Sequence, residues 1–157
     1  MSLAEIIKSN AKTFENIFPF VNGEAYLAAT AQVESGFGKY NVPKYEKAYD
    51  LGGRYGNVEY WRKYGSHYAC SYSSFQIMYP VAVELGFTSS PYELADDNTA
   101  ILWVIELFRK RGLREKLSSV DQMADFYNSG SAKDAIRPAK YIADIKYHYS
   151  LFCEKGL

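Results

Sequence analysis

The chain has 157 residues, of which 18 are basic and 18 acidic, so its formal net charge is zero. This balance argues against a dedicated nucleic-acid binder, which usually carries a basic excess. A hydrophobic content of 48% beside 23% charged residues argues against global disorder. The length favours a single domain over residues 1–157 that needs neither a metal ion nor a disulfide to fold.

Helical periodicity predicts a mainly α protein. Apolar spacing and flanking Ser, Pro and Gly residues predict helices over about 2–17, 22–35, 58–63, 75–85, 97–112, 119–127 and 138–154. The helix over 97–112 is apolar on nearly every side, so we expect the other helices to pack around it. Pro80 is expected to interrupt the helix over 75–85. The sequence has no Asn-Gly hairpin signal, no internal repeat and no apolar stretch of roughly 20 residues for a membrane span.

Residues 36–73 form a long segment that is rich in Tyr and Gly and shows no sustained period beyond the short helix. More than half of the chain's 15 tyrosines lie in it. Long loops inside compact domains are usually functional or mobile, and Tyr rings stack on flat polar ligands such as sugars. We therefore expect a ligand-facing loop region, with a Tyr-rich core and rim as the alternative.

Glu34 is the first candidate for chemistry. It lies in the last turn of the predicted helix over 22–35 and is followed by Ser35. The negative end of the helix dipole and the apolar neighbours both disfavour a charged carboxylate, so the pKa of Glu34 is expected to be raised. A carboxylic acid that stays protonated near neutral pH suits general-acid cleavage of a glycoside. The alternative is a surface glutamate at the end of a helix.

Two further segments carry polar residues in apolar surroundings. In Ser74-Phe75-Gln76-Ile77-Met78 the glutamine stands out, with a core amide satisfied by backbone groups as the alternative. The segment Phe126-Tyr127-Asn128-Ser129-Gly130 is by itself an ordinary helix ending.

Together and in this order, Glu34-Ser35 and these two segments resemble the lysozyme-like superfamily of soluble lytic transglycosylases and goose-type lysozymes. In that family a Glu-Ser pair ends a helix and a Gly-Leu-Met-Gln-Ile-like segment follows. A buried helix then leads to an Ala-x-Tyr-Asn-x-Gly segment and a final helix. The resemblance covers about residues 22–150. The chain departs from the pattern where Ser74-Phe75 replaces Gly-Leu, and the interval between the first two motifs is longer than in compact transglycosylases.

The resemblance implies cleavage of the β-1,4 bond between N-acetylmuramic acid and N-acetylglucosamine in peptidoglycan, with Glu34 as general acid and then base. The product class, either the 1,6-anhydro end of a lytic transglycosylase or the reducing end of a muramidase, stays open. The residues expected to bind substrate are Ser35, Ser73, Gln76, Ile77, Tyr127 and Asn128.

A muramidase commonly needs a second carboxylate to activate water. The Tyr-rich segment offers Glu46, Asp50 and Glu59, each of which is alternatively a solvated charge. A non-catalytic module that binds peptidoglycan or a chitin-type glycan in the same groove is the alternative function.

No cofactor and no metal ion are expected. His67 and Cys70 fall short of the three or four ligands of a zinc site, and a Cys-His nucleophile has no independent support. The expected partners are peptidoglycan glycan strands, with no nucleic acid, no membrane insertion and a monomeric protein. Residues 1–20 show no secretory signal pattern. We therefore expect synthesis in the cytoplasm and action on the cell wall through phage-type lysis or virion delivery, with a trimmed secreted or periplasmic enzyme as the alternative.

Overall fold

The computed structural model describes residues 1–50, 57–133 and 137–157. As the sequence predicts, the protein is mainly helical. The α-helices are α1 (Leu3–Ile17), α2 (Gly23–Ser35), α3 (Val58–Tyr64), α4 (Tyr79–Leu85), α5 (Pro91–Leu94), α6 (Asp97–Leu107), α7 (Val120–Ser129) and α8 (Ala139–Lys155). The strands are β1 (Lys44–Tyr45), β2 (Cys70–Tyr72) and β3 (Ile77–Met78), and they pair antiparallel in the order β1-β2-β3.

Local capping explains the helix boundaries that the sequence predicts. The Ser2 hydroxyl accepts a hydrogen bond from the Glu5 amide at 3.2 Å, and the Glu5 carboxylate accepts one from the Ser2 amide at 2.7 Å. Ser119 caps α7 by accepting from the Gln122 amide at 3.2 Å. Gly130 ends α7 in the left-handed conformation, with φ of 90°. The predicted starts and ends of α1, α2, α7 and α8 are confirmed within two residues.

The helix predicted over 75–85 is wrong in its first part. Residues 73–76 form a turn and Ile77–Met78 forms β3, and α4 begins only at Tyr79. Pro80 stands in the first turn of α4, where its missing amide hydrogen costs nothing. Further inside a helix, its ring would clash with the carbonyl of Gln76, four residues earlier.

Two other expectations need correction. The segment over 36–73 is more ordered than a long loop, because its described part holds β1, α3, β2 and two 3₁₀ turns. The α-helical pattern predicted over 97–112 ends at Leu107 and continues as a π-helical turn, in which the Leu113 amide bonds the Phe108 carbonyl at 3.0 Å. One side of α6 is open, since Leu102 is 56% exposed.

The chain divides into two compact units, one formed by residues 1–33 and 108–157 and the other by residues 34–107. In the first unit, Phe14 stacks on Tyr26 at 5.5 Å between ring centroids, and Phe108 meets the edge of Phe14 at 5.2 Å. A Cβ on Gly23 would lie 2.5 Å from the Ala11 carbonyl oxygen, so only glycine lets α2 begin this close to α1. None of the helices in the described part of the chain combines the length and apolarity of a membrane crossing.

The second unit packs the small sheet against α4 and α6, and α3 packs on the 3₁₀ turn over Gly65–Ala69. Its aromatic core is centred on the buried Tyr79, whose ring meets Tyr64, Tyr68 and Phe87 edge-on at 5.8 to 6.2 Å. The Tyr79 hydroxyl donates to the Ser89 carbonyl at 2.8 Å. The helix that carries Tyr79, α4, follows β3 directly and packs against β2 and β3.

Candidate functional site

Glu34 occupies the last turn of α2, as predicted, and is half-buried. The helix ends there because Gly36 and Gly38 take positive φ angles of 61° and 89°. The Glu34 carbonyl accepts a hydrogen bond from the Lys44 ammonium at 3.1 Å. A lysine at this position satisfies one of the last carbonyls of α2 and ties β1 to the helix end.

Ser35 connects two of the segments that the resemblance singles out. Its hydroxyl donates to the Ser74 carbonyl at 2.7 Å and accepts from the Gly38 amide at 2.8 Å. The first bond joins residues that are 39 positions apart in the sequence. The buried Ser35 therefore places the end of α2, and with it the backbone of Glu34, beside the turn that precedes β3.

The turn over 73–76 connects β2 to β3 and is held by the side chain of Gln76. The Gln76 Oε1 accepts from the Ser71 hydroxyl at 2.7 Å, and its Nε2 donates to the carbonyls of Ser73 at 2.7 Å and Val42 at 3.2 Å. Both hydrogens of the amide nitrogen are thus used by backbone carbonyls. Gln76 is 7% exposed, so the structure gives it the role of a satisfied core amide.

Asp97 is a contributor to this region that sequence reasoning missed. Its two carboxylate oxygens accept hydrogen bonds from the Ser74 amide at 2.8 Å and the Ser74 hydroxyl at 2.7 Å. The sequence predicts only that the helix over 97–112 begins at this residue, and in the structure it is Asp96 that makes the capping bond, to the Thr99 amide at 3.0 Å. Because Asp96 alone is enough to cap the helix, the second acidic residue, Asp97, was the feature of the sequence that indicated another role.

The backbone is strained around this junction. Phe37, Ser73 and Gln76 have positive φ angles of 58°, 77° and 50°, which are unfavourable for residues with a side chain. The first lies in the turn after α2, and the other two frame the turn that Ser35 contacts. Strain of this kind persists where surrounding contacts over-determine the backbone, as the bonds of Ser35, Gln76 and Asp97 do here.

The remaining predicted substrate-binding residues fall into two groups. Ser73 and Ile77 are buried, and Ile77 lies opposite Tyr72 in the sheet. Tyr127 and Asn128 lie on α7, in the unit formed by residues 1–33 and 108–157. The Tyr127 ring is half-buried and stacks on Phe108 at 5.9 Å, whereas Asn128 is exposed.

Of the three candidate second acids, Asp50 has a carboxylate that is held by other side chains. It accepts hydrogen bonds from the Trp61 indole at 2.6 Å and from the Tyr45 hydroxyl. Glu46 and Glu59 are exposed. Successive residues of a strand point to opposite faces, so Tyr45, which binds Asp50, and Lys44, which binds the end of α2, leave β1 on opposite sides.

Some tyrosines of the 36–73 segment pack in the core, and others lie on the surface. Tyr68 and Tyr72 are buried, while Tyr40 and Tyr45 are at least half exposed. A second surface group surrounds Tyr64, whose ring lies 6.4 Å from Tyr60 and 6.5 Å from Tyr92. This group, completed by the exposed His67 at 5.5 Å from Tyr92, is called the tyrosine face below.

His67 is exposed on the 3₁₀ turn over Gly65–Ala69, and Cys70 follows this turn. Cys70 is buried, burial raises the pKa of its thiol, and its Sγ donates to the Ser66 carbonyl at 3.4 Å. Within residues 1–50, 57–133 and 137–157, no three or more His, Cys, Asp or Glu side chains are grouped to hold a metal ion. Cys70 and Cys153 are both free thiols.

Comparison with known proteins adds no relative: no protein-family model, no curated protein and no solved structure matches the chain.

Proposed function

We propose that this protein is a peptidoglycan-degrading glycosidase in which Glu34 is the general acid and base. The observation that carries the proposal is the Ser35–Ser74 hydrogen bond of 2.7 Å. It joins the Glu-Ser helix end to the Ser74–Met78 segment, two of the three motifs on which the resemblance to lytic transglycosylases and goose-type lysozymes depends. A half-buried glutamate whose backbone lies beside a strained turn also suits a catalytic acid.

In the proposed reaction the Glu34 carboxylic acid donates its proton to the bridging oxygen as the bond from that oxygen to C1 of N-acetylmuramic acid breaks. The carbonyl oxygen of the neighbouring N-acetyl group forms a bond to C1 and compensates the developing positive charge. The Glu34 carboxylate then removes the proton of the 6-hydroxyl of the same sugar. That oxygen attacks C1, releases the N-acetyl oxygen and leaves a 1,6-anhydro ring. The acid is regenerated, and no water is consumed.

We favour this one-carboxylate reaction over hydrolysis. Asp50 accepts hydrogen bonds from Tyr45 and Trp61. Because neighbouring side chains of a strand point to opposite faces, Tyr45 leaves β1 on the side opposite to Lys44, which bonds the end of α2. Asp50 therefore lies with Tyr45 on the other side of β1. Glu46 and Glu59 are exposed, and no side chain in the described part of the chain holds either carboxylate. Hydrolysis by a muramidase through one of these three acids is the alternative outcome of the test below.

We further propose that the substrate is peptidoglycan in the cell wall, reached by phage-type lysis or virion delivery. With a formal net charge of zero, the protein has no strong general attraction to an anionic wall. Binding would therefore depend on contacts between the glycan and the residues around Glu34.

Mass spectrometry of muropeptides released from purified peptidoglycan tests both the function and the product class. We expect anhydro products about 18 Da lighter than hydrolysed ones. Glu34→Gln should fold normally and lower the rate by about 10²–10⁴-fold or more, the range for loss of a general acid. Glu24→Gln, in the first turn of the same helix, is the matched control and should retain activity. Full activity of Glu34→Gln would contradict the proposal, and reducing ends would redirect the search to the second acids.

The exposed tyrosines favour one second candidate, a glycan-binding module without catalysis. Tyr92 is 59% exposed and meets Tyr64, so the tyrosine face offers rings on which sugars can stack. This function predicts that the wild-type protein releases no muropeptides but sediments with insoluble peptidoglycan, and that Tyr92→Ala weakens this binding. Tyr147→Ala, which removes an exposed tyrosine of α8, is the control.

A further inference from the structure

Beside α7, in the unit formed by residues 1–33 and 108–157, lies a cleft of about 520 Å³. It is lined by Ser119, Asp121, Gln122, Asp125, Ala132 and Arg137. We propose that this cleft binds a primary ammonium group carried on an alkyl chain, with the Asp125 carboxylate as its counter-ion. The proposal does not depend on catalysis by Glu34.

Asp125 is buried, at 3% exposed, and its carboxylate has few partners among the described residues. Within that part of the chain, the hydrogen bond to its side chain comes from the Ser129 hydroxyl, 3.0 Å from Oδ1. That hydroxyl has a single proton and also lies 2.8 Å from the Asp125 carbonyl and 2.7 Å from the Ser131 carbonyl. Because the two carbonyls are closer, Asp125 Oδ1 has the weakest share of this proton.

Two cations described near the cleft pair with its other acid, Asp121. Asp121, one turn before Asp125 on α7, lies 3.3 Å from the Lys146 ammonium and 3.9 Å from the Arg137 guanidinium. Within the described parts of the chain, no lysine, arginine or histidine nitrogen lies within 4.0 Å of the Asp125 carboxylate. A buried carboxylate without a cation is unfavourable, so Asp125 is a site where a ligand cation would be stabilised.

An ammonium group fits this site better than a metal ion. Calcium takes 6–8 oxygen ligands, and no group of three or more acidic, His or Cys side chains suited to a metal occurs among the described residues. An ammonium group instead brings three N–H donors, which Asp125 and the hydroxyl and amide oxygens of the lining can accept. The volume lies in the range of small-molecule sites and leaves room for a carbon stem. Both the side chain of a lysine in a peptide and a free alkylamine present this chemistry.

Titration of the ¹⁵N-labelled full chain with n-butylammonium, followed by NMR at the amides of Asp125 and Ser129, tests the proposal. n-Butanol keeps the carbon stem without the charge, and tetramethylammonium keeps the charge without N–H donors. We expect saturable binding of n-butylammonium in the millimolar range typical of so small a ligand, about tenfold tighter than either control. Tighter binding of Nα-acetyl-lysine methylamide would indicate a peptide lysine, and equal binding a free amine.

Two isosteric variants complete the test. Asp125→Asn should weaken n-butylammonium binding about tenfold or more, whereas Asp121→Asn should change it less than about threefold, because Asp121 already has its own cations. Equal responses to n-butylammonium and n-butanol, no saturation below about 100 mM, or unchanged affinity in a folded Asp125→Asn protein would each overturn the proposal. If Asp125→Asn does not fold, the comparison of n-butylammonium, n-butanol and tetramethylammonium binding to the wild-type protein still tests the proposal.

Discussion

At the scale of single residues, the buried amide of Gln76 is satisfied within the protein. The Gln76 amide uses its oxygen and both nitrogen hydrogens on Ser71, Ser73 and Val42. Its main contribution is to the turn over 73–76, and through that turn to the end of α2. A rigid backbone at this point is what a catalytic carboxylate on the preceding helix would need.

Replacing Gln76 with Met should therefore destabilise the protein by about 2–4 kcal/mol. The change keeps the volume but removes three hydrogen bonds and leaves the buried Ser71 hydroxyl without its acceptor. Urea unfolding followed by circular dichroism measures the effect. Gln32→Met, at a half-buried position of α2, is the control and should cost less than about 1 kcal/mol. Equal stability of the two variants would show that the Gln76 network contributes nothing.

The two thiols should differ strongly in reactivity. Cys70 is buried, and burial raises the pKa of its thiol, which lowers the fraction of reactive thiolate. Cys153 is exposed near the end of α8. Iodoacetamide at pH 8 should modify one cysteine rapidly, and peptide mass spectrometry should identify it as Cys153. In Cys153→Ser the rapid phase should disappear, and fast labelling of Cys70 would contradict its burial.

At the scale of elements, Asp97 is the residue that joins a helix to the strand connection. Asp97 begins α6, and its carboxylate accepts hydrogen bonds from the amide and the hydroxyl of Ser74. The Ser74 carbonyl in turn accepts a hydrogen bond from the Ser35 hydroxyl. The end of α2, the β2–β3 turn and the start of α6 are thus linked through one serine. Loss of any member should loosen the same junction.

Asp97→Ala should cost about 2–3 kcal/mol of unfolding free energy, because it removes two charge-assisted hydrogen bonds and leaves the Ser74 amide unpaired. Asp96→Ala is the matched control on the adjacent residue, and loss of its capping bond should cost about 1 kcal/mol. Thermal unfolding of both variants gives the comparison. A smaller loss for Asp97→Ala than for Asp96→Ala would refute the assigned role.

At the scale of the whole molecule, the two compact units each have an aromatic core. Phe108 contacts Phe14, Tyr26 and Phe126 in one of them. In the other, the ring of Tyr79 contacts the rings of Tyr64 and Tyr68, and its hydroxyl is a polar group within this core. Because tyrosine hydroxyls are buried in this second core, the free energy of unfolding should decrease at alkaline pH.

Burial raises the pKa of both Tyr72 and Tyr79 above the ordinary tyrosine value of about 10. Above that pH the unfolded chain releases protons that the folded protein retains, so ionisation favours unfolding. Stability from these groups should be complete below about pH 10 and fall as the pH rises further. Thermal unfolding from pH 8 to 11 should show a shallower decline for Tyr79→Phe than for the wild type. Tyr147→Phe, on the surface, should follow the wild-type profile.

The sequence by itself determined the class of fold and most helix boundaries, because capping residues, glycine stops and apolar periodicity act within a few residues of one another. Ser2, Ser119 and Gly130 each mark a boundary through a bond to a near neighbour. It also singled out Glu34 and Gln76 as unusual residues, since a polar side chain in an apolar run is visible without a structure.

The tertiary structure decided what those residues contact. The β2–β3 turn, the bond from Gln76 to Val42, the link from Ser35 through Ser74 to Asp97, and the burial of Asp125 all depend on residues brought together from separate elements. The helix predicted across 75–78 failed for the same reason. Local apolar spacing favoured a helix there, but hydrogen bonds to distant segments fix a turn and a strand, and such long-range bonds leave no periodic signal in the sequence.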